Sequence, residues 1–287
     1  MSFSLPIQKG WHSLVLNLEN QQKMHKGVLR KMRTEFGSPI NYYLNLDGEE
    51  IHMNQLLGKN VQLNFTGYQC LNCGSEQKIY RMGHCYKCFY EIPQTADWII
   101  RPELSTAHLD KEDRDLEYEK QVQLQPHIVY LALSSNVKVG VTRKTQVPTR
   151  WIDQGATEAL EIVETPNRYL AGVAEVALKD FVADKTNWRK MLKNEPDTGE
   201  GLMEMRDRLV NYLPEEVKPH ILDSSQNGWN LNFPVMKYPV KIKSLNLTKT
   251  PSFENRLVGI KGQYLIFEND TVFNVRGNEG FVVEMSF

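Results

Sequence analysis

The sequence predicts a mixed α+β protein, and three patterns support this class. Short alternating apolar stretches, typical of half-buried strands, occur in residues 1–95 and again in the last third of the chain. Residues 170–183 have apolar side chains at helical spacing. All four cysteines lie within residues 70–88. The chain should therefore combine sheets and helices with one local unit built around sulfur.

The composition indicates a compact protein without an obvious general affinity for nucleic acid. The chain has 287 residues, a net charge of -1, 41% hydrophobic residues and 24% charged residues, which suits two or three compact units. No apolar run approaches the ~18 residues needed to span a bilayer, so no membrane partner is expected. The opening residues do not resemble a signal peptide, and the expected location is the cytoplasm. Residues 127–193 nevertheless contain ten Lys or Arg against seven Asp or Glu, which would allow a local basic surface.

The four cysteines form two Cys-x2-Cys pairs, Cys70 with Cys73 and Cys85 with Cys88. Two such turns supply the four thiolates of a tetrahedral zinc site. Two disulfides are the alternative, which a reducing compartment disfavours. The pattern therefore predicts a small zinc ribbon or knuckle, in which structural Zn²⁺ has no open position for chemistry.

Four regions follow along the chain. Residues 1–96 are predicted to be β-rich and to carry the zinc site. Residues 97–126 are dense in charge and are predicted to be a solvated linker. Residues 127–200 should form an α/β module, and residues 201–287 a helix followed by a β region. Because three or four short strands do not easily form a core alone, the last strands are expected to complete the amino-terminal sheet.

The central module has the predicted element order ββαβα. A hairpin is followed by a short helix that starts at Pro148 and stops at Gly155, then by a strand and an amphipathic helix. The predicted strands are 128–133, 137–141 and 160–163, and the long helix is 170–183. The carboxy-terminal region should contain a helix over 202–213 and a hairpin that pairs 264–267 with 272–275.

Glu175 interrupts an apolar stripe of the long helix, which also contains Ala171, Leu178 and Val182. A buried carboxylate needs a cation, a metal ion or hydrogen bonds to offset its desolvation. The alternative is a carboxylate at the edge of the stripe, in a salt bridge with Arg150 or Lys179. The position is therefore either a functional site or a structural ion pair.

The order of Val129-Tyr130, Lys138-Val139-Gly140, Arg150 and Glu175 resembles the GIY-YIG nuclease superfamily. The first motif has Ile128 where the superfamily has glycine, and the second has Lys138 where it has tyrosine, as in some of its branches. The resemblance implies that Tyr130 lies near the attacking water, that Arg150 stabilises charge on the scissile phosphate, and that Glu175 holds Mg²⁺ or Mn²⁺. Lys138 completes this candidate catalytic set. We expect Tyr130, Arg150 and Glu175 to share one cleft, with both helices on one face of the sheet.

Polar residues around the short helix suggest a phosphate-facing groove. Arg143 and Lys144 follow the hairpin, and Gln154 ends the helix. Simple helix capping and packing is an equally good interpretation of these residues. They are the candidate nucleic-acid-binding residues.

A wider resemblance covers most of the chain. The Cys-x2-Cys-Gly motif, residues 83–89, 138–143, 148–156, 184–189 and 259–265 look like an uncharacterised bacterial family, domain of unknown function 2797. This resemblance implies no function. The expected function therefore comes from the GIY-YIG resemblance alone. It is a protein that acts on nucleic acid, as a divalent-metal-dependent endonuclease. The alternatives are an inactive zinc-stabilised module that binds DNA, RNA or protein, and an adaptor in which Glu175 and Arg150 merely pair.

Overall fold

The computed structural model describes residues 23–182, 187–196, 199–223 and 228–287. The strands are β1 (His25–Val28), β2 (Arg33–Glu35), β3 (Asn41–Leu46), β4 (Glu49–His52), β5 (Asn60–Tyr68), β6 (His127–Leu133), β7 (Val137–Arg143), β8 (Glu158–Thr165), β9 (Trp229–Asn230), β10 (Lys243–Ser244), β11 (Ser252–Lys261), β12 (Tyr264–Phe267), β13 (Thr271–Asn274) and β14 (Phe281–Ser286). The helices are α1 (Tyr86–Glu91), α2 (Leu116–Gln123), α3 (Thr149–Asp153), α4 (Arg168–Leu178), α5 (Trp188–Lys193) and α6 (Leu202–Leu209). None of the described helices is long and apolar enough to cross a membrane.

The largest sheet combines both ends of the described chain. Its seven strands have the order β1-β14-β5-β11-β12-β13-β10. β14 pairs with both β1 and β5, which confirms that the last strands complete the amino-terminal sheet. The predicted hairpin near the carboxy terminus is β12 and β13, with Tyr264 opposite Asn274. A second sheet has the order β2-β3-β4. The part of the β-rich prediction that covers residues 1–22 lies outside the described residues.

The central module has the predicted order β6, β7, α3, β8, α4 and forms a sheet of order β7-β6-β8-β9. β6 is the middle of an antiparallel core, with Tyr130 directly opposite Gly140 of β7. α4 begins at Arg168 because the Asn167 side chain accepts a hydrogen bond from the backbone N–H of Leu170. The helix ends at Leu178, earlier than expected, and a 3₁₀ turn covers residues 179–181.

The two faces of this sheet bury different helices, because neighbouring residues of a strand point to opposite sides. One core contains Tyr130 together with Trp151 and Ile152 of α3. A separate core contains Leu131 together with Leu178 and other apolar residues of α4. The expectation that both helices share one face is therefore wrong, and α3 and α4 lie on opposite sides of the sheet.

Residues 97–126 differ from the predicted solvated linker, because they pack across the outer side of α4. Trp98 is only 2% exposed. A Cβ atom on Gly172 of α4 would lie 2.2 Å from the backbone nitrogen of Glu103, so only glycine allows this approach. The carboxylate of Glu119 is fully buried and accepts the backbone N–H groups of residues 113, 114 and 115. Many of the charges in this segment thus fix its conformation.

The central module also contacts the large sheet through the end of α3. The Gly262 backbone lies so close to this helix end that an added Cβ would be 3.2 Å from the carbonyl oxygen of Asp153. Next to it, Gln263 donates to the Asp153 carboxylate at 2.8 Å and to the carbonyl oxygen of Met32 at 3.0 Å. Residues of the large sheet are therefore held beside the edge of the central module.

Candidate functional site

The four cysteines come together at the end of β5 and the start of α1. Their Sγ atoms all lie within 4.8 Å of one another, and those of Cys73 and Cys85 are 3.9 Å apart. A tetrahedron with metal–sulfur bonds of about 2.3 Å has sulfur atoms about 3.8 Å apart. All four cysteines are free in the structure, which agrees with a metal site rather than two disulfides. The cluster could hold a metal ion such as zinc.

Backbone and amide groups of the two cysteine loops point at the sulfur atoms. The N–H of Cys85 donates to Sγ of Cys70, and the side-chain amide of Asn72 donates to Sγ of Cys88, each at 3.3 Å. The loops also pair directly, with the N–H of Leu71 donating to the carbonyl oxygen of Gly83 at 2.9 Å. Such N–H···S contacts typically surround thiolates that bind a metal.

The thiols of this cluster have divergent acidities. Burial raises the pKa of Cys70, but backbone hydrogen bonds outweigh it and lower the pKa to about 6. Asn72 lowers the pKa of Cys88, whereas burial and the three other sulfur atoms raise it to about 12. Four negative thiolates at this separation repel one another, so the full set requires a cation at its centre.

The cysteine cluster is connected to the central module by residues 89–99. The guanidinium of Arg114 donates to the carbonyl oxygens of Ile92, at 2.7 Å, and Phe89, at 3.2 Å. Farther along, Arg168 donates to the carbonyl oxygens of Trp98, at 3.1 Å, and Ile99, at 2.8 Å. The segment that leaves the cluster is therefore fixed on the helix that carries Glu175.

A cavity of about 190 Å³, which we call the cationic cleft, opens at the β7 edge of the central module. α2, α3, the start of α4 and the turn after β13 also contribute to its walls. Five cationic residues line it: Lys31, Arg143, Arg150, Arg168 and Arg276. Asp153 also lines it, and Tyr118, Val122 and Ile99 provide an apolar side. A concentration of guanidinium groups of this kind is typical of a phosphate site.

The negative charge of Asp153 is already paired. Its side chain is 4% exposed, and its Oδ2 lies 2.9 Å from Nζ of Lys31 and 4.0 Å from Nη1 of Arg276. Its Oδ1 accepts the Gln263 amide at 2.8 Å. The cleft therefore keeps a strong positive excess in a chain whose net charge is only -1.

Two arginines in the cleft have unusual surroundings. Burial lowers the pKa of Arg168 to about 10, an effect that Arg150 and Arg143 increase and Glu175 opposes. Nε of Arg150 is buried and has no hydrogen-bond partner among the described residues. A bound anion would relieve both the mutual repulsion and the missing hydrogen bond.

Tyr130 lies behind this cleft and does not line it. The residue is 1% exposed, and its hydroxyl exchanges hydrogen bonds with the side-chain amide of Gln154 at 3.1 and 3.2 Å. A Cβ atom on Gly140 would lie 2.7 Å from the phenol ring, so glycine is needed opposite it. Burial raises the pKa of Tyr130, while the nearby Arg150 lowers it. The phenol is thus enclosed by protein.

Glu175 lines a neighbouring pocket of about 180 Å³ together with Glu103, Lys179 and Val139. Burial raises the pKa of Glu175 to about 7, an effect that the charge of Arg168 opposes. Burial also lowers the pKa of Lys138 to about 8. Both groups therefore titrate near neutral pH, which is common at functional sites.

The structure brings some predicted site residues together and separates others. Arg143 and Arg150 share the cationic cleft. Lys144 instead forms an exposed ion pair, with Nζ 2.9 Å from both carboxylate oxygens of Glu164. Gln154 contacts Tyr130, and Glu175 occupies the adjoining pocket. Tyr130, Arg150 and Glu175 are thus close enough to interact electrostatically, but they do not line one open cleft, because Tyr130 is buried and Glu175 lines the adjoining pocket.

Sequence reasoning missed Lys31, Arg168 and Arg276 as cleft residues. The sequence does mark Arg168 as unusual, because a cation in the first turn of a helix is unfavourable beside the positive end of the helix dipole. No sequence pattern indicates Lys31 or Arg276 as cleft residues, since they reach the cleft only through the packing of the large sheet against α3.

The elevated pKa of Glu175 predicts a pH-dependent stability. A carboxyl group with a pKa of about 7 in the folded state and an ordinary value of 4.5 loses stability as pH rises between these values. Glu175→Gln should therefore gain stability relative to wild type from pH 4.5 to 7, reaching on the order of 3 kcal/mol and then levelling. Urea unfolding of both proteins between pH 4 and 8 measures the difference.

The comparison uses the difference in unfolding free energy between the two proteins, because His127 changes the stability of both with pH in the opposite direction. Burial lowers its pKa to about 4, so its contribution to stability rises with pH in the same range. This contribution is common to both proteins and cancels. A stability difference that does not change between pH 4.5 and 7 would contradict the assignment to Glu175.

Comparison with known proteins identifies one family. The family described as "Protein of unknown function (DUF2797)" matches residues 58–283. The matched range contains all four cysteines and the cleft residues except Lys31. No curated protein and no solved structure matches the chain.

Proposed function

Because the chain belongs to the DUF2797 family, whose function is unknown, we propose a function from the site itself: this is a zinc-stabilised protein that binds nucleic acid through the backbone phosphates. The observation that carries the proposal is the convergence of five cationic side chains on one cavity. Asp153 pairs with Lys31 and Arg276, and backbone carbonyls accept from Arg168, so Arg143 and Arg150 are the groups best placed to bind a phosphate. Guanidinium groups bind phosphate through paired N–H donors, and this geometry suits a phosphodiester oxygen.

The ion that best fits the cysteine cluster is Zn²⁺. Four sulfur ligands in a compact set favour zinc over the harder cations, which prefer oxygen. The role is structural, because four protein ligands would complete the coordination shell. A reducing compartment such as the cytoplasm would keep these thiols available for the ion.

The shape of the cationic cleft supports nucleic acid as its ligand. Tyr118, Val122 and Ile99 give it an aromatic and apolar side next to the guanidinium groups. A nucleotide unit offers both a phosphate and a base, so it would use both sides. DNA and RNA share this chemistry, and the 2′-hydroxyl distinguishes them.

Metal-dependent hydrolysis of the same phosphodiester is a second candidate function. It is favoured by Glu175, which lies within the electrostatic influence of Arg168 and Arg150 and has a pKa near neutrality. In this role Glu175 would hold Mg²⁺ or Mn²⁺, Arg150 would neutralise charge on the phosphate, and Lys138 would transfer a proton. The enclosed phenol of Tyr130 suits a positioning role through Gln154 better than contact with water.

Binding is tested by titrating labelled 20-nucleotide single strands and duplexes with the protein and measuring fluorescence anisotropy at several salt concentrations. We expect salt-sensitive binding by the wild type. Arg143→Ala should weaken it and reduce the slope of log K against log salt by about 1, because one phosphate contact is lost.

Lys144→Ala is the matched control, since it removes a neighbouring cation that is already ion-paired with Glu164. It should change binding much less than Arg143→Ala. Equal effects of the two variants would reject the cationic cleft as the site. No binding of either probe by the wild type would reject the proposed function.

A further inference from the structure

The cysteine cluster carries an exposed group of aromatic rings, which we call the aromatic cluster: Tyr80, Tyr86, Phe89 and Tyr90. Tyr80, Tyr86 and Tyr90 are 40%, 64% and 50% exposed. Proteins rarely leave several large rings together in solvent unless that surface binds something. The cluster lies outside the cationic cleft and is not used by the proposed site.

The metal-binding fold fixes the relative positions of these rings. Tyr86 and Tyr90 are one turn apart on α1, with centroids 4.9 Å apart. Tyr80 lies 5.1 Å from Tyr86 and 5.2 Å from Phe89, at interplanar angles near 70°. The hydroxyls of Tyr80 and Tyr90 are 3.2 Å apart. The rings therefore meet edge to face or at a tilt, and Tyr86 and Tyr90 keep enough exposed surface to contact a flat ligand.

The charge beside the aromatic cluster favours an anionic ligand. The guanidinium carbon of Arg81 lies 5.4 Å from the centroid of the Tyr80 ring. A flat ligand attached to a negative backbone would contact the rings through its base and Arg81 through its phosphate.

We propose that the aromatic cluster binds unpaired bases of single-stranded nucleic acid by stacking. The proposal rests on the proposed function for its ligand class and adds a second, independent contact surface with a preference for single strands. Bases in a duplex are already stacked on each other, so they cannot cover these rings, whereas the bases of a single strand can.

The aromatic cluster and the cationic cleft are far apart in sequence, but the segments that carry them are in direct contact. Arg114 donates to the carbonyl oxygen of Phe89 in the aromatic cluster's helix. α2 starts two residues later, and its Tyr118 and Val122 line the cationic cleft. The cluster's helix and one wall of the cleft therefore belong to one hydrogen-bonded unit.

The test compares the full-length wild type with the double variant Tyr86→Ala/Tyr90→Ala on a labelled oligothymidine and on a duplex of equal length. Because bases stacked on these rings would lose their partners, single-strand affinity should fall about tenfold or more. Duplex affinity and the salt slope should change little, because no phosphate contact is removed. Tyr86→Phe/Tyr90→Phe should retain single-strand affinity, since it keeps the rings.

Tyr212→Ala serves as the control, because Tyr212 is also 50% exposed but packs against Phe181 away from the cysteine loops. It should not affect binding. Metal content, measured in every variant, distinguishes lost stacking from a damaged fold. An alanine double variant with full metal content and unchanged single-strand affinity would overturn the proposal and leave a protein partner as the occupant of this surface.

Failure of this inference is distinguishable from failure of the proposed function. If Arg143→Ala weakens binding but Tyr86→Ala/Tyr90→Ala does not, the cationic cleft binds nucleic acid and the aromatic cluster does not. If only the aromatic variant weakens binding, stacking is supported and the cleft assignment fails. If the wild type binds no single strand, both proposals are rejected.

Discussion

Cys85→Ser should reduce the zinc content of the purified protein from about one equivalent to nearly none and destabilise the fold on the order of 5 kcal/mol. Cys85 is 3% exposed and precedes α1 as its capping residue. Its loss leaves three thiolates that repel one another without a complete shell for the ion. Since the free energy of metal binding is part of the free energy of folding, the unfolding midpoint should fall with the metal content.

The measurement combines metal analysis with thermal unfolding, and Asn72→Ala is the control. This control removes one amide donor to Sγ of Cys88 but keeps all four sulfur ligands. It should retain zinc and lose far less stability. A Cys85→Ser protein that keeps a full equivalent of zinc, or a wild type without any, would contradict the structural role assigned to the cluster.

Loss of zinc should also alter the structure outside the cysteine cluster. The carbonyl oxygens of Ile92 and Ile99 accept hydrogen bonds from Arg114 and Arg168, which are far along the sequence from the cysteines. Ile99 and Arg168 both line the cationic cleft. A metal ion in the cluster would therefore support the proposed function indirectly, by fixing one wall of the cleft.

One long-range feature was predicted, the completion of the amino-terminal sheet by β14, because a few short strands do not form a core alone. The other correctly predicted parts of the fold are those fixed by local physics. The hairpin β6–β7 follows from alternation and a short turn, and the site of the cysteine cluster follows from ligand spacing. The strands β12 and β13 were equally predictable. In each case the interacting residues are close in sequence, so a pattern of a few residues contains the structural information.

The candidate site was less predictable because it depends on which face of the central sheet each side chain and helix lies on. Tyr130 and Glu175 occur in the right order for the GIY-YIG resemblance, but an order of elements does not specify on which side of a sheet a helix packs. The contact of Gly172 with the backbone of Glu103 is decisive here, since it covers α4 with residues 97–104. No periodicity in the sequence reports such a long-range approach.

Charge density misled the prediction for residues 97–126 for a related reason. Glu119 and Arg114 look like solvated residues in a list of charges, yet each satisfies several backbone groups inside the protein. The near-neutral total charge similarly hides the cationic cleft, because Lys31 and Arg276 join it from opposite ends of the chain. Only the tertiary structure adds these local charges together.

Cleavage of nucleic acid, the second candidate function, should depend on Glu175 and Arg150. We expect any Mg²⁺- or Mn²⁺-dependent cleavage to fall about 100-fold or more in Glu175→Ala and in Arg150→Ala, because these lose the metal ligand and the positive charge that stabilise the transition state. Glu164→Ala and Lys144→Ala remove a matched carboxylate and a matched cation from an exposed ion pair. They should leave cleavage within a few fold of the wild type.

The same four variants separate an enzyme from a binding protein when cleavage and binding are measured together. Glu175 lies in the pocket beside the cationic cleft, so Glu175→Ala should leave phosphate binding intact while abolishing cleavage. Arg150→Ala should reduce both, because the guanidinium lines the cleft itself. Equal residual cleavage in wild type and Glu175→Ala would indicate a contaminating nuclease and reject the enzyme. Retained salt-sensitive binding would then leave the cationic cleft as a site that holds phosphates without cutting them.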